Sequence, residues 1–233
     1  MTHHFLRYCA ATALATTLIA CSGTSQPDVD SAAADIGNLT QGGAQVTSIT
    51  TPAGYKQGDK LIAYEGPGWE SDKTAFRIYL DGRNALDLFG KKTPDLVLAS
   101  VGRGEDYHAM ADWGMDILKV GNSLGAGGFG VFQGGEVRQI GNAASYTAEI
   151  VNDNFASAIV RVTHTNSESC GGDVAAEYMI GQGERLTQVM IDGDCALPLA
   201  AGLIIHPNTT SLTSTTAGAW QYKGRYGAQS LVP

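Results

Sequence analysis

Arg77, Tyr79 and Asp81 alternate along one run of the chain. Trp69 and Glu70 precede them, Arg83 follows, and Tyr107, His108, Trp113 and Asp116 come next. Imidazole changes charge near neutral pH, so His108 beside Tyr107 is a candidate acid/base pair. An arginine fork such as Arg77 or Arg83 can take a carboxylate bidentately and neutralise charge that builds on it during reaction. The faces of Trp69 and Trp113 can stack on the C–H side of a pyranose, while Glu70, Asp81, Arg83 and Asp116 hydrogen-bond its hydroxyls or orient the base. Together these residue types suit an acidic sugar. They also suit proton abstraction next to a uronate carboxylate, with His108, Tyr107 or Tyr79 removing or returning the proton. The plainer alternatives are a solvated strand face with a local Arg–Asp pair, tryptophans at the edge of a core, and an ordinary loop histidine.

Strands must position these groups. In residues 75–81, Phe76, Ile78 and Leu80 face one way and Arg77, Tyr79 and Asp81 the other, which is the period of a strand. Asp81-Gly82 predicts a turn, with a further run at 84–89. Residues 60–64 also read as a strand. Gly134-Gly135 between 129–133 and 136–140 predicts a hairpin, as does Asn152-Asp153-Asn154 between 145–151 and 155–164. Runs at 157–165, 174–180 and 185–192 continue as a meander, with Gly181-Gln182-Gly183-Glu184 turning the last two, and a final run spans 199–205. Many short strands with almost no helical period predict an all-β fold, an antiparallel β-sandwich or barrel. Residues 94–128 have no clear period and read as a functional loop or lid.

Composition agrees and excludes alternatives. The chain has 233 residues, 30 of them Gly, and 15 Lys+Arg against 23 Asp+Glu, a net charge of −8. That balance excludes a phosphate-neutralising nucleic-acid binder. The one long apolar stretch is N-terminal and too short to span a bilayer. It follows Arg7 and ends in Leu18-Ile19-Ala20-Cys21, which resembles a bacterial lipobox. The resemblance implies a signal peptide over 1–20, a lipid on Cys21, and, with Ser22 next, an outer-membrane anchor facing the periplasm of a Gram-negative cell. Residues 21–45 then read as a flexible tether and 46–233 as the β-domain. Cys170 and Cys195 remain for a disulfide, since the loops that carry them fall at one end of the meander. His164, in a Thr-rich strand, reads as structural. No metal-ligand spacing and no phosphate-loop ending occur, so no metal or cofactor is predicted. The aromatic and basic stretch before Pro233 reads as the start of a further element, as in a chain that stops before its domain is finished.

The segments Tyr64-Glu65-Gly66-Pro67-Gly68-Trp69-Glu70-Ser71-Asp72, Arg77-Ile78-Tyr79-Leu80-Asp81-Gly82-Arg83-Asn84, Phe89-Gly90-Lys91-Lys92-Thr93, Tyr107-His108 and Asp112-Trp113-Gly114-Met115-Asp116 resemble the bacterial family called domain of unknown function 4861. The resemblance extends more loosely to residue 233. It implies a supersandwich like that of galactose mutarotase, in a longer chain, and a setting among proteins that degrade acidic polysaccharides. It supplies no catalytic residues. The expectation is a periplasmic, carbohydrate-active lipoprotein that acts on uronic-acid oligosaccharides by elimination. Epimerase or hydrolase chemistry on the same fold, and glycan binding without catalysis, are the alternatives.

Overall fold

The structure is a computed structural model describing residues 32–35, 40–41, 44–59, 61–103, 106–214 and 221–227. Cys21 and the signal segment lie outside the described residues. Among those described there is no helix. The strands in chain order are β1 (Ala32–Asp35), β2 (Thr40–Gln41), β3 (Ala44–Gln45), β4 (Ser48–Thr50), β5 (Gly68–Ser71), β6 (Thr74–Ile78), β7 (Leu86–Lys91), β8 (Gly114–Asp116) and β9 (Ala126–Gln133). They continue with β10 (Glu136–Arg138), β11 (Ser145–Asn154), β12 (Ser157–Thr165), β13 (Val174–Gly181), β14 (Thr187–Gly193), β15 (Leu199–Leu203), β16 (Thr210–Thr213) and β17 (Lys223–Tyr226).

Two five-stranded antiparallel sheets, β1-β5-β6-β7-β8 and β14-β13-β12-β11-β4, pack face to face. A three-stranded sheet, β10-β9-β15, lies alongside, joined to the first by the bridge between Leu86 and Gly125. The fold is the all-β, sandwich-like one expected. Its core takes Trp69, Phe76, Ile78 and Leu86 from the first sheet and Ala148, Val160, Val162, Ala176, Tyr178 and Ile180 from the second. The two-residue period of a strand sends these side chains inward and their neighbours outward. The disulfide between Cys170 and Cys195 is formed, closing the loop at one end of the meander as expected.

The meander and the Gly134-Gly135 hairpin follow the sequence closely, but Asn152, Asp153 and Asn154 are not the next turn: they extend β11 and pair with Ile159, Ala158 and Ser157, and the chain turns at Phe155-Ala156. Gly134 and Gly135 both take positive φ, 66° and 87°, which a two-residue hairpin turn demands and glycine supplies without strain.

Other expectations need correction. Residues 61–64 form turns, because Ile62 and Tyr64 point into two different apolar clusters. A strand at Gly68–Ser71 takes their place. The run at 75–81 pairs only through Ile78, although Leu80 still points to the core. The chain also joins the fold earlier than its polar composition suggests. Ala32–Asp35, inside the stretch read as a tether, pairs with β5 and buries Ala32 and Ala34.

The irregular segment is a cover more than a lid. Val97, Leu98 and Val101 pack with Tyr64, Ala75 and Phe89 over the face of the first sheet that points away from the sandwich core. Glu70 holds this cover down: its Oε1 accepts the backbone N–H of Val97 and of Leu98, each at 2.7 Å, and its Oε2 accepts Lys91 Nζ at 2.7 Å. Gly68 lets the cover approach. A Cβ there would meet Leu98 Cδ1 at 2.8 Å and the Tyr64 hydroxyl at 3.0 Å.

Candidate active site

The outward face of β6 and β7 carries Arg77 and Asp87, which are direct cross-strand partners. Beneath the cover Arg77 is fully buried. Its Nε and Nη2 donate to Asp87 Oδ2 at 3.0 and 2.6 Å, and Nη2 also reaches Asp116 Oδ2 at 3.1 Å. Nη1 donates to the Tyr64 carbonyl at 2.6 Å and to the Tyr107 hydroxyl at 3.0 Å, and Nη2 contacts the Tyr79 hydroxyl. The Tyr79 ring lies between two guanidiniums, with Arg77 Cζ 4.2 Å and Arg83 Cζ 4.3 Å from its centroid.

One cation is thus shared by two buried carboxylates, leaving a negative charge in excess. Burial, and then the neighbouring Asp87, push the Asp116 carboxyl up to about 7, against the opposing pull of Arg77 and His108. This is where a carboxyl can both hold and release a proton at physiological pH. Burial raises the phenols of Tyr79 and Tyr107 despite the nearby Arg77, so they stay protonated and serve as donors, not as the base considered from sequence. Burial is the largest single influence on Arg77 and opposes its charge, but Asp87, Tyr79, Tyr107 and Asp116 together outweigh it and hold the guanidinium protonated.

Beside this cluster opens a cleft of about 280 Å³, walled by Tyr79, Arg83, His108, Asp116, Lys119 and the adjoining backbone. His108 projects into it and is largely exposed. Asp106 Oδ1 accepts the backbone N–H of His108 at 3.0 Å and contacts Nδ1 at 3.1 Å, which assigns the ring proton to Nδ1. Nε2 is then turned to Asp116 Oδ2, 3.6 Å away. The backbone N–H of His108 holds Asp106 below the usual carboxylate range, helped by the ring contact. Asp81 and Arg83 form a two-pronged pair at the rim, with Nε at 3.0 Å and Nη2 at 2.7 Å from Oδ2. Arg83 Nη1 donates to the Gly121 carbonyl at 3.1 Å.

The fold therefore brings Arg77, Tyr79, Tyr107, His108 and Asp116 together and sets Asp81 and Arg83 beside them. It does not bring Trp69, Glu70 or Trp113. Trp69 is wholly buried in the sandwich core, stacked 4.7 Å from Tyr178, and its indole N–H donates to Thr187. It cannot stack on a sugar. Glu70 is spent on the cover, and Trp113 packs edge-on to Phe89 at 6.1 Å instead of lining the cleft. Arg77 also changes role: its charge is already neutralised from within, so it cannot be the fork for a substrate carboxylate.

Asp87 and Lys119 were missed. The signal for Asp87 was present, because a hairpin centred on Gly82 sets Arg77 opposite Asp87. Lys119 sits in the aperiodic segment and carries no signal of its own.

An antiparallel β-sandwich with a buried arginine bridging two carboxylates, beside a cleft lined by His108 and Asp116, is thus the class of protein that fold and site define. The chain belongs to the family described as a domain of unknown function, DUF4861, which matches residues 19–233. No curated protein and no solved structure matches it.

Proposed function

We propose that this is a carbohydrate-active lipoprotein, exported and anchored through Cys21, that moves a proton at a sugar held in the cleft. The observation that carries the reading is Asp116. It is buried, forced to share one guanidinium with Asp87, titrates near 7, and faces the exposed imidazole of His108 across 3.6 Å.

Asp116 and His108 are the acid and base, and Tyr79 is a fixed phenol donor. An acidic protein that takes an acidic sugar needs a local cation; Arg77 and Arg83 are both already paired with carboxylates, so that part falls to Lys119 on the cleft wall. A cleft of this size is at the low end for ligand sites and accommodates about one sugar ring. Elimination from a uronate remains the preferred reaction, which the neighbourhood of Lys119, His108 and Asp116 on one cleft wall supports.

The test is incubation of the full-length protein with uronate oligosaccharides, monitored for the ultraviolet absorbance of an unsaturated product. Asp116→Asn and His108→Ala should each abolish at least about 99% of turnover, in line with a typical general acid/base contribution. Absence of product with every acidic oligosaccharide, together with oligosaccharide binding unchanged in both variants, would replace this reading with non-catalytic glycan binding.

A further inference from the structure

Three hairpin tips meet at the end of the sandwich where β6 begins. Gln182 N–H donates to the Ala156 carbonyl at 2.9 Å, joining the β13–β14 turn to the β11–β12 turn. Gly183 N–H donates to Asp72 Oδ1 at 3.1 Å and Ser71 Oγ donates to the Glu184 carbonyl at 2.6 Å, joining both to the β5–β6 turn. Two of the most exposed apolar side chains among the described residues crown these tips, Phe155 at 70% and Leu186 at 73% exposure. Turn tips ordinarily carry Gly, Asn, Asp, Ser or Pro for conformational reasons, and neither a phenylalanine nor a leucine is required there by backbone geometry.

The chain enters the fold at the same end. Ala32, the first residue of β1, pairs with Ser71, and Ala34 N–H donates to Asp153 Oδ1 at 3.1 Å in the β11–β12 hairpin. Ten residues, 22–31, separate Cys21 from Ala32, a reach of at most about 35 Å. The cleft lies the other way: Tyr79 and Arg83 follow the far end of β6, and residues 118–121 follow the far end of β8.

We propose that the Phe155–Leu186 end is a membrane-docking face. It seats the domain on the bilayer that holds its own lipid, with the cleft turned away from the membrane toward soluble ligand. The inference rests on the reading of Cys21 as lipidated. The lipid on Cys21 holds the chain at the bilayer but does not orient the domain, and two apolar tips at the end where the chain enters the fold would fix that orientation by burying apolar surface at the headgroup boundary. Lys73 and Arg185 are offset by Asp72, Asp153 and Glu184 on the same turns, so docking is apolar and indifferent to the charge of the lipid headgroup.

The experiment uses the full chain in membranes of an expressing Gram-negative cell, with a photoreactive benzophenone residue substituted at Phe155, Leu186 or Asn122 and a clickable phospholipid. Radiolabelled palmitate incorporated by the wild type and lost in Cys21→Ser establishes the anchor separately. With the anchor present, lipid adducts at 155 and 186 should exceed those at 122 by about tenfold, as expected for side chains buried in the headgroup region. The excess should be equal with neutral and anionic lipid in reconstituted vesicles. Palmitate incorporation with equal adducts at all three positions overturns the docking face and leaves the anchor standing. Failure to incorporate palmitate overturns both.

Discussion

The two faces of β6 are one residue apart in sequence and opposite in chemistry. Phe76 and Ile78 enter an apolar core shared with the second sheet. Ala75 and Arg77 enter a second buried space under Val97, Leu98, Val101, Tyr107 and Trp113, where the largest fully buried side chain is a cation. The first face is stabilised by area removed from water. The second is held by Arg77, which Asp87 and Asp116 share, and removal of that one cation strands two carboxylates in low dielectric. A strand buried on both faces can thus pack one against an apolar core and reserve the other for a buried cluster of charges.

The sharpest way to break the comparison is to strike each face once. Arg77→Met leaves Asp87 and Asp116 without their cation and should cost about 3–5 kcal/mol, as much as Phe76→Ala does by opening a cavity, also about 3–5 kcal/mol. Denaturant melts of the two variants should look alike until Asp87→Asn is added to each. The second change should restore part of the stability lost in Arg77→Met and restore none in Phe76→Ala, because only the first face is coupled through charge.

The disulfide offers a reference outside both faces. Cys170→Ser with Cys195→Ser reopens a 25-residue separation and should cost about 3 kcal/mol on the chain-entropy account. Activity in the surviving folded fraction should be unchanged, which a thermal melt and a turnover assay read together.

A pH titration of stability sets the faces against each other. His164 is fully buried on the core side, and neither ring nitrogen has a hydrogen-bond partner among the described residues. Burial depresses it from 6.5 to about 4, so the unfolded chain takes the proton first and stability is lost as pH falls through that window. Asp116, on the other face, is raised from 3.8 to about 7. There the folded chain takes the proton first, and stability is gained as pH falls from 7 toward 4. Each contribution is on the order of 3 kcal/mol, so in the wild type they should nearly cancel between pH 4 and 7. His164→Leu should become more stable with falling pH and Asp116→Asn less stable. Parallel profiles in the two variants would show that these groups do not govern acid stability.

How much of this could be read from sequence follows from the same two faces. Alternation in residues 75–81 separated Phe76 and Ile78 from Arg77 and Tyr79 correctly, because the period of a strand is set by backbone geometry alone. What alternation cannot say is whether the polar face meets water. That depended on the aperiodic segment after residue 92, whose Val97, Leu98 and Val101 dock through contacts distant in sequence. Hence Arg77 turned from a ligand fork into an internal counter-ion, and Glu70 from a sugar-binding group into the anchor of the cover. Trp69 went astray for the opposite reason: β5 is too short and glycine-flanked to show its period, so its inward face was not visible. The site residues after residue 100 were legible as a cluster of types, but only the register of β7 with β8 brings Asp116 to Arg77.

The smallest predicted effect sharpens the comparison most, because it asks whether burial or a neighbouring charge sets the proton affinity of Asp116. Asp87→Asn keeps the shape of the cluster and its bonds to Arg77 while removing one negative charge. Arg77 is then paired with Asp116 alone. Burial remains the larger cause of the raised affinity, so the carboxyl should fall by about one unit from its value near 7 and not return to the ordinary carboxylate range. The carboxyl carbon resonance of Asp116 reads this directly across a pH series, whether or not a substrate has been found. If turnover is measurable, the limb of its pH profile assigned to Asp116 should move to lower pH by the same amount, with little change in melting temperature. A resonance that still titrates near 7 would mean that Asp87 merely props up Arg77, and that Asp116 owes its raised proton affinity to the cover above it instead of to the two carboxylates competing for one cation.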